Sequence, residues 1–133
     1  MIYALDTNTI SYYLQGNQKI KLILEQSLIK GHQIVIPPIV YYEVRRGFKR
    51  VSSPKKEKIF AGLCSIFNVG EINISILEIA ADIYADSRNT GKIIHDADIL
   101  IAAFCLVNDY ILVTNNTKDF ESIQGLNIAD WTV

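Results

Sequence analysis

The strongest constraint on this chain is the company its β-type runs keep. IYAL (2–5), IVI (34–36) and YILV (110–113) carry no polar alternation, while the segments between them repeat apolar residues at helical spacing. A strand apolar on both faces must be covered on both faces, which is the condition of a parallel sheet wound by crossover helices. Weaker strands are expected around Val69–Ile74 and Leu126–Ile128. The pattern predicts an α/β fold with one doubly wound sheet. The 133 residues suit a single domain over 1–133, enough to bury roughly two-thirds of the unfolded surface.

Helix ends can be placed as well. Ser75 and Glu78 form an S-x-x-E capping box ahead of Ile79, Ile83 and Tyr84, with Gly91 as the stop. Ser53 before Pro54 suits an N-cap and first turn. Pro37-Pro38 ends the second strand, and a helix from about Ile39 would carry Val40, Val44 and Phe48 inward. Asp96 is expected to cap the helix containing ILIAAFCLV, which is apolar almost all round and therefore buried.

Half the residues are hydrophobic and a fifth are charged, which excludes a disordered chain. A net charge of −1 argues against holding nucleic acid by bulk positive charge, yet seven of the thirteen basic residues fall between Arg45 and Lys58. Cys64 and Cys105 lie in apolar runs at unrelated spacing and read as core residues of a reducing compartment, not as a disulfide or zinc site. Asp6 interrupts the first apolar run, so no signal peptide is expected. ILIAAFCLVN is ten residues long, where a membrane span needs about 20. A cytoplasmic protein with no membrane partner is the expectation.

The chemistry lies in where the acids fall. In open α/β sheets, sites form outside the carboxyl ends of the strands, near the point where strand order reverses. Asp6 directly follows the first strand. Thr114, Asn115 and Asn116 follow YILV, with Asp119 three residues on. Glu43 lies one turn past Val40 and beside Val44, at the border of a buried face. Asp96 and Asp98 open the apolar helix. Each has an ordinary account: a cap, a favourable helix dipole, a rim glutamate reaching water. Asp96 fits its ordinary account; Asp98, followed by ILIAAF, fits it less well. Gathered together they would repel, by roughly 3 kcal/mol for a pair about 5 Å apart at an effective dielectric near 20. A hard divalent ion, Mg²⁺ or Mn²⁺, removes that conflict through oxygen ligands. His32 and His95 are too separated to suggest histidine ligation.

The order LDTN, YYEVRRG, HDADILIAA and VTNNTKDF resembles the PIN-domain ribonucleases, and more closely the VapC-type toxins of bacterial toxin–antitoxin pairs. The likeness runs over essentially the whole chain. It implies a PIN-like three-layer α/β/α domain with a central five-stranded parallel sheet. It implies that Asp6, Glu43 and Asp98 bind Mg²⁺, with Mn²⁺ as a substitute. It also implies that Asn8 orients Asp6, and that Thr114, Asn115, Asn116 and Asp119 form a fourth corner. Some relatives carry an acid where Asn116 stands, so Asn116 and Asp119 both remain candidates there. The implied activity is endonucleolytic hydrolysis of RNA, by a homodimer held by an antitoxin that blocks the site.

The basic stretch beside Glu43 is a candidate for the RNA backbone: Arg45, Arg46, Lys49, Arg50, Lys55 and Lys56. A solvated helix face is its ordinary account. Two rival functions stay open at this level. DTNT loosely resembles the D-x-D-x-T signature of haloacid-dehalogenase-type phosphatases, with Asp6 as nucleophile, but that needs an acid at Asn8. A non-catalytic PIN-like binding protein would be expected to have lost one of the acids.

Overall fold

The structure, a computed structural model, describes all 133 residues. Its five strands are β1 (Ile2–Leu5), β2 (Gln33–Ile36), β3 (Asn68–Val69), β4 (Ile111–Val113) and β5 (Ile128–Ala129). They form one sheet in the order β3-β2-β1-β4-β5, with every neighbouring pair parallel. The missing alternation has the expected cause: Ala4, Leu5, Val35, Ile36, Leu112 and Val113 are all buried, on both pleats of the three inner strands.

Seven helices surround the sheet: α1 (Thr7–Leu14), α2 (Gln18–Ile29), α3 (Pro38–Arg50), α4 (Pro54–Ile66), α5 (Ile74–Asn89), α6 (Asp96–Asn108) and the single turn α7 (Thr117–Phe120). They gather in two groups, α5 against α6 and α1 against α2, α3 and α4, with α3 also meeting α6. One continuous cluster of apolar side chains joins sheet and helices. The five-stranded α/β/α architecture is thus present. The weaker strand assignments needed correction. Only Asn68 and Val69 form strand in the first, because pairing with β2 ends at the Gly70 N–H, which bonds to Ile36 O, and the chain is helical by Ile74. The last begins at Ile128 and not at Leu126.

Two helix starts also differ from the sequence reading. Asn73, not Ser75, caps α5: its Oδ1 accepts from the Ile76 N–H at 3.0 Å. Ser75 is already inside the helix, so the apparent capping box is out of register. Asp96 is the first helical residue of α6, behind His95 at the cap position, and makes no cap bond. Other ends hold. Pro38 and Pro54 occupy the first turns of α3 and α4, where a missing N–H leaves nothing unsatisfied. Gly91, at φ +77°, turns the chain out of α5 in the left-handed region that a side chain resists.

Candidate metal centre

The sheet order runs outward from β1 in both directions, so strand order reverses between β1 and β4. That is where a crevice opens in such sheets. Register fixes what stands there. Leu5 pairs with Val113, and the Asp6 N–H extends the ladder by one bond, to Val113 O at 3.0 Å. Asp6 and Thr114 therefore leave the sheet side by side, and both are buried.

Asp6 does two jobs that the sequence reading treated as rivals. It caps α1, with Oδ1 accepting from the Thr9 N–H at 2.8 Å. It is also a carboxylate only 5% exposed. Burial raises its pKa; the Thr114 and Thr9 hydroxyls and the Thr9 N–H pull it back, and Glu43 adds a like charge. Thr9 was not singled out from sequence, although the third position after a capping aspartate is where such a partner stands. Asn8, expected to orient Asp6, is exposed and shares no bond with it. The backbone of Thr9 does that work instead. Nor does Asn8 offer a second group beside Asp6, as the phosphatase reading would need.

Glu43 sits on the second turn of α3, half-buried. Its Oε1 accepts from the Thr7 hydroxyl at 2.7 Å, and its Oε2 meets the Arg46 guanidinium at 3.4 Å. Arg46 in turn lies 5.2 Å from the Tyr42 ring centroid. Thr7 was missed because nothing in sequence says which helix faces α3.

Asp98 stands in the first turn of α6. Its pKa is pushed up to about 6, first by burial and then by Asp119, Glu43 and Asp6, against a lowering from His95. Asp119, Glu43 and Asp6 are thus all near enough to Asp98 for their charges to act on it. Asp96, two residues earlier, is exposed. Asn116 Nδ2 donates to Asp119 Oδ2 at 2.7 Å. That bond ties Asn116 to Asp119, the carboxylate of this segment. Thr114 Oγ1 accepts from the Asn116 N–H at 3.0 Å, tying the segment to the end of β4. Asn115 Nδ2 donates to the Tyr12 hydroxyl at 2.9 Å, and its buried Oδ1 has no partner.

The donor set suits a hard divalent ion. It consists of carboxylates whose like charges already disfavour ionisation of Asp98, so a cation there would relieve repulsion. As they lie, no three of the chain's histidine, cysteine, aspartate and glutamate side chains stand close enough together to hold an ion.

The basic stretch divides. Arg45 is paired with Glu57 at 3.5 Å and Arg46 with Glu43, so these two are engaged on the protein itself. Lys49, Arg50 and Lys55 are exposed, and Lys56 is half-buried. Cys105 is buried in the core, with its thiol pushed up to about 12 by that burial, while Cys64 is only partly covered. No helix is long and apolar enough to cross a membrane.

Comparison with known proteins places these features in context. The family described as PIN domain matches residues 3–126. Ribonuclease VapC2 of Rickettsia felis is 30% identical over 138 aligned residues, covering 98% of each chain. The crystal structure of VapBC2 from Rickettsia felis, bound to a DNA fragment from their promoter, superposes with a TM-score of 0.91. It is 26% identical, covering 98% of this chain and 99% of that one. VapBC-1 from nontypeable Haemophilus influenzae gives a TM-score of 0.89 at 28% identity, with both chains fully covered.

Proposed function

The chain belongs to the PIN-domain family, and from that premise we infer that it is a metal-dependent endoribonuclease, the toxin of a type II toxin–antitoxin pair. The observation that supports the chemistry is the placement of Asp6 and Thr114 side by side at the carboxyl ends of β1 and β4, with Asp98, Glu43 and Asp119 near enough for like charge to act on Asp98. Like charges gathered at this rim of the sheet disfavour one another's ionisation, and a bound cation relieves that conflict.

We assign the ion to Asp6, Asp98 and Glu43, with Asp119 closing the site, and take Mg²⁺ as the ion, with Mn²⁺ as a substitute. When bound, it supplies charge neutralisation at a phosphoryl oxygen and a water of lowered pKa. Asp6 is the rigid member, because its N-cap bond and its place in the ladder leave the carboxyl little freedom. Glu43, held through Oε1 by Thr7, keeps its other oxygen toward Arg46 and is the group placed to orient an attacking water. Asn116 fixes the direction of Asp119. No serine, cysteine or histidine nucleophile is needed.

The RNA backbone meets Lys49, Arg50, Lys55 and Lys56, the cations not committed to ion pairs. Residues 1–133 act as one domain, in the cytoplasm, as a homodimer whose cognate antitoxin covers the acids.

The test is incubation of the purified protein with total RNA, with Mg²⁺ and with excess chelator, beside an Asp6→Asn variant. Cleavage is expected only for the wild type with Mg²⁺. Cleavage that survives the chelator or the substitution would overturn the assignment. Growth arrest on expression, relieved by Asp98→Ala or by the co-expressed partner, tests the toxin role separately.

A further inference from the structure

A groove of about 290 Å³ opens from the Glu43 end of the acid cluster and runs between α1 and α3 toward the start of α4. Thr7 and Glu43 line its near end and Lys56 its far end. Leu14, Val44, Phe48 and Val51 give it an apolar side, while Ser11, Gln15 and Ser53 give it polar groups. Thr7 to Gln15 spans eight helical steps, about 12 Å at the helical rise, as does Glu43 to Val51. Gly47 lies between them, one turn beyond Glu43 on the same helix. A Cβ built there would meet nothing within 4 Å, so the groove is open above it.

We propose that this groove is a subsite for one unpaired nucleotide of the RNA, the one adjoining the scissile phosphate. The proposal rests on the ribonuclease reading above and adds to it where the neighbouring base goes. The base lies against Leu14, Val44 and Phe48, with its hydrogen-bonding edge toward Ser11 and Gln15. The next phosphate along the strand reaches Lys56. A nucleobase has an apolar face and a polar edge, and the groove offers both in one slot. Its ends match as well: acids for a metal-bound phosphate at one, a cation for a free phosphate at the other. A stacked base in a duplex cannot enter a slot between two helices, so the subsite selects single-stranded segments.

The test measures cleavage of fluorescein-labelled, mixed-sequence single-stranded octaribonucleotides, and Mn²⁺ affinity by calorimetry without RNA. Gly47→Leu fills the slot and should raise KM about tenfold while leaving Mn²⁺ affinity within about twofold of wild type. Gly47→Ala adds one methyl at a helical position and should raise KM far less than Gly47→Leu, which separates filling the slot from loss of the glycine. Gln15→Ala should raise KM severalfold. Lys56→Gln should lower the slope of log affinity against log salt by roughly 0.7. If Gly47→Leu does not fold, the Gln15 and Lys56 variants decide.

Unchanged KM in these variants, with an active wild type, overturns the subsite and leaves the ribonuclease reading standing. Unchanged KM with loss of antitoxin binding by Gly47→Leu gives the groove to the protein partner and likewise overturns the proposal. An inactive wild type removes the ribonuclease reading first, and the subsite with it.

Discussion

The Thr7 hydroxyl donates to Glu43 Oε1 at 2.7 Å, joining the first turn of α1 to the second turn of α3 across 36 positions of sequence. A glutamate on a long side chain is thereby held at the rim by a group that cannot compete for a metal's charge. Hydrogen bonds to a charged partner contribute about 1.5–3 kcal/mol. Thr7→Val should therefore lower kcat for RNA cleavage about tenfold, while Thr7→Ser should retain activity. Equal kcat in all three proteins would show that Glu43 needs no such anchor.

Asp6 separates capping from catalysis. Asn caps as well as Asp, whereas Ala does not, at a cost of about 1 kcal/mol. Asp6→Asn also relieves a buried carboxylate whose pKa burial has raised. Both substitutions should abolish cleavage. In thermal melts with chelator present, Asp6→Asn should match or exceed the wild-type Tm and Asp6→Ala should fall below it. An Asn variant as unstable as the Ala variant would contradict the capping role.

Asp98 imposes a pH dependence on the metal-free protein. Its pKa is raised from 3.8 to about 6 in the fold, so the native state binds its proton more tightly than the unfolded chain does. The contribution of this group to stability consequently falls as pH rises through that window, then stays constant above it. Asp98 is only partly buried, and screening by solvent reduces the effect to roughly 1 kcal/mol. In chelator, the Tm of Asp98→Asn relative to wild type should increase between pH 4 and pH 6.5. A difference independent of pH would remove the proposed crowding.

Asp119 should be the source of much of that crowding. Asp119→Asn is expected to lower the carboxyl titration midpoint of Asp98 below about 6, followed by NMR, and to reduce Mn²⁺ affinity. Asn116→Ala, which only frees Asp119 from its 2.7 Å bond, should have the smaller effect on both. The reverse ranking would make Asn116 the group that faces the ion.

Gly70 tests the fold independently of the site. It follows β3, and a Cβ there would lie 2.3 Å from Phe104 Cζ, in the buried face of α6. Gly70→Ala must displace that ring or the strand end, and overpacking of this kind costs about 1–3 kcal/mol. Urea denaturation should show a lower midpoint with an unchanged slope. A neutral result would mean that Phe104 can move aside freely.

Much of this was legible before any coordinates, and the residues explain why. IYAL, IVI and YILV announce themselves because burial on both faces leaves an uninterrupted apolar run. Asp6 is visible because it ends such a run. β3 is only two residues long, too short to carry a pattern, and was overdrawn. Asn73 was passed over for Ser75 because a capping motif two residues away looked complete by itself. At the site, Asp6, Glu43, Asp98 and Asp119 can be named from sequence, whereas the bond from the Thr9 N–H to Asp6 and the carboxylate partners of Arg45 and Arg46 cannot.

The order of residues alone determined which segments become strands and helices and which acids stand at their ends, since those are questions of local periodicity and burial. It could not decide who touches whom. The bond from Thr7 to Glu43 and the field of Asp119, Glu43 and Asp6 that raises Asp98 join elements distant in sequence that meet only in the fold. Electrostatic and hydrogen-bond energies depend on distance in space and on surrounding dielectric, and neither is a property of position along a chain.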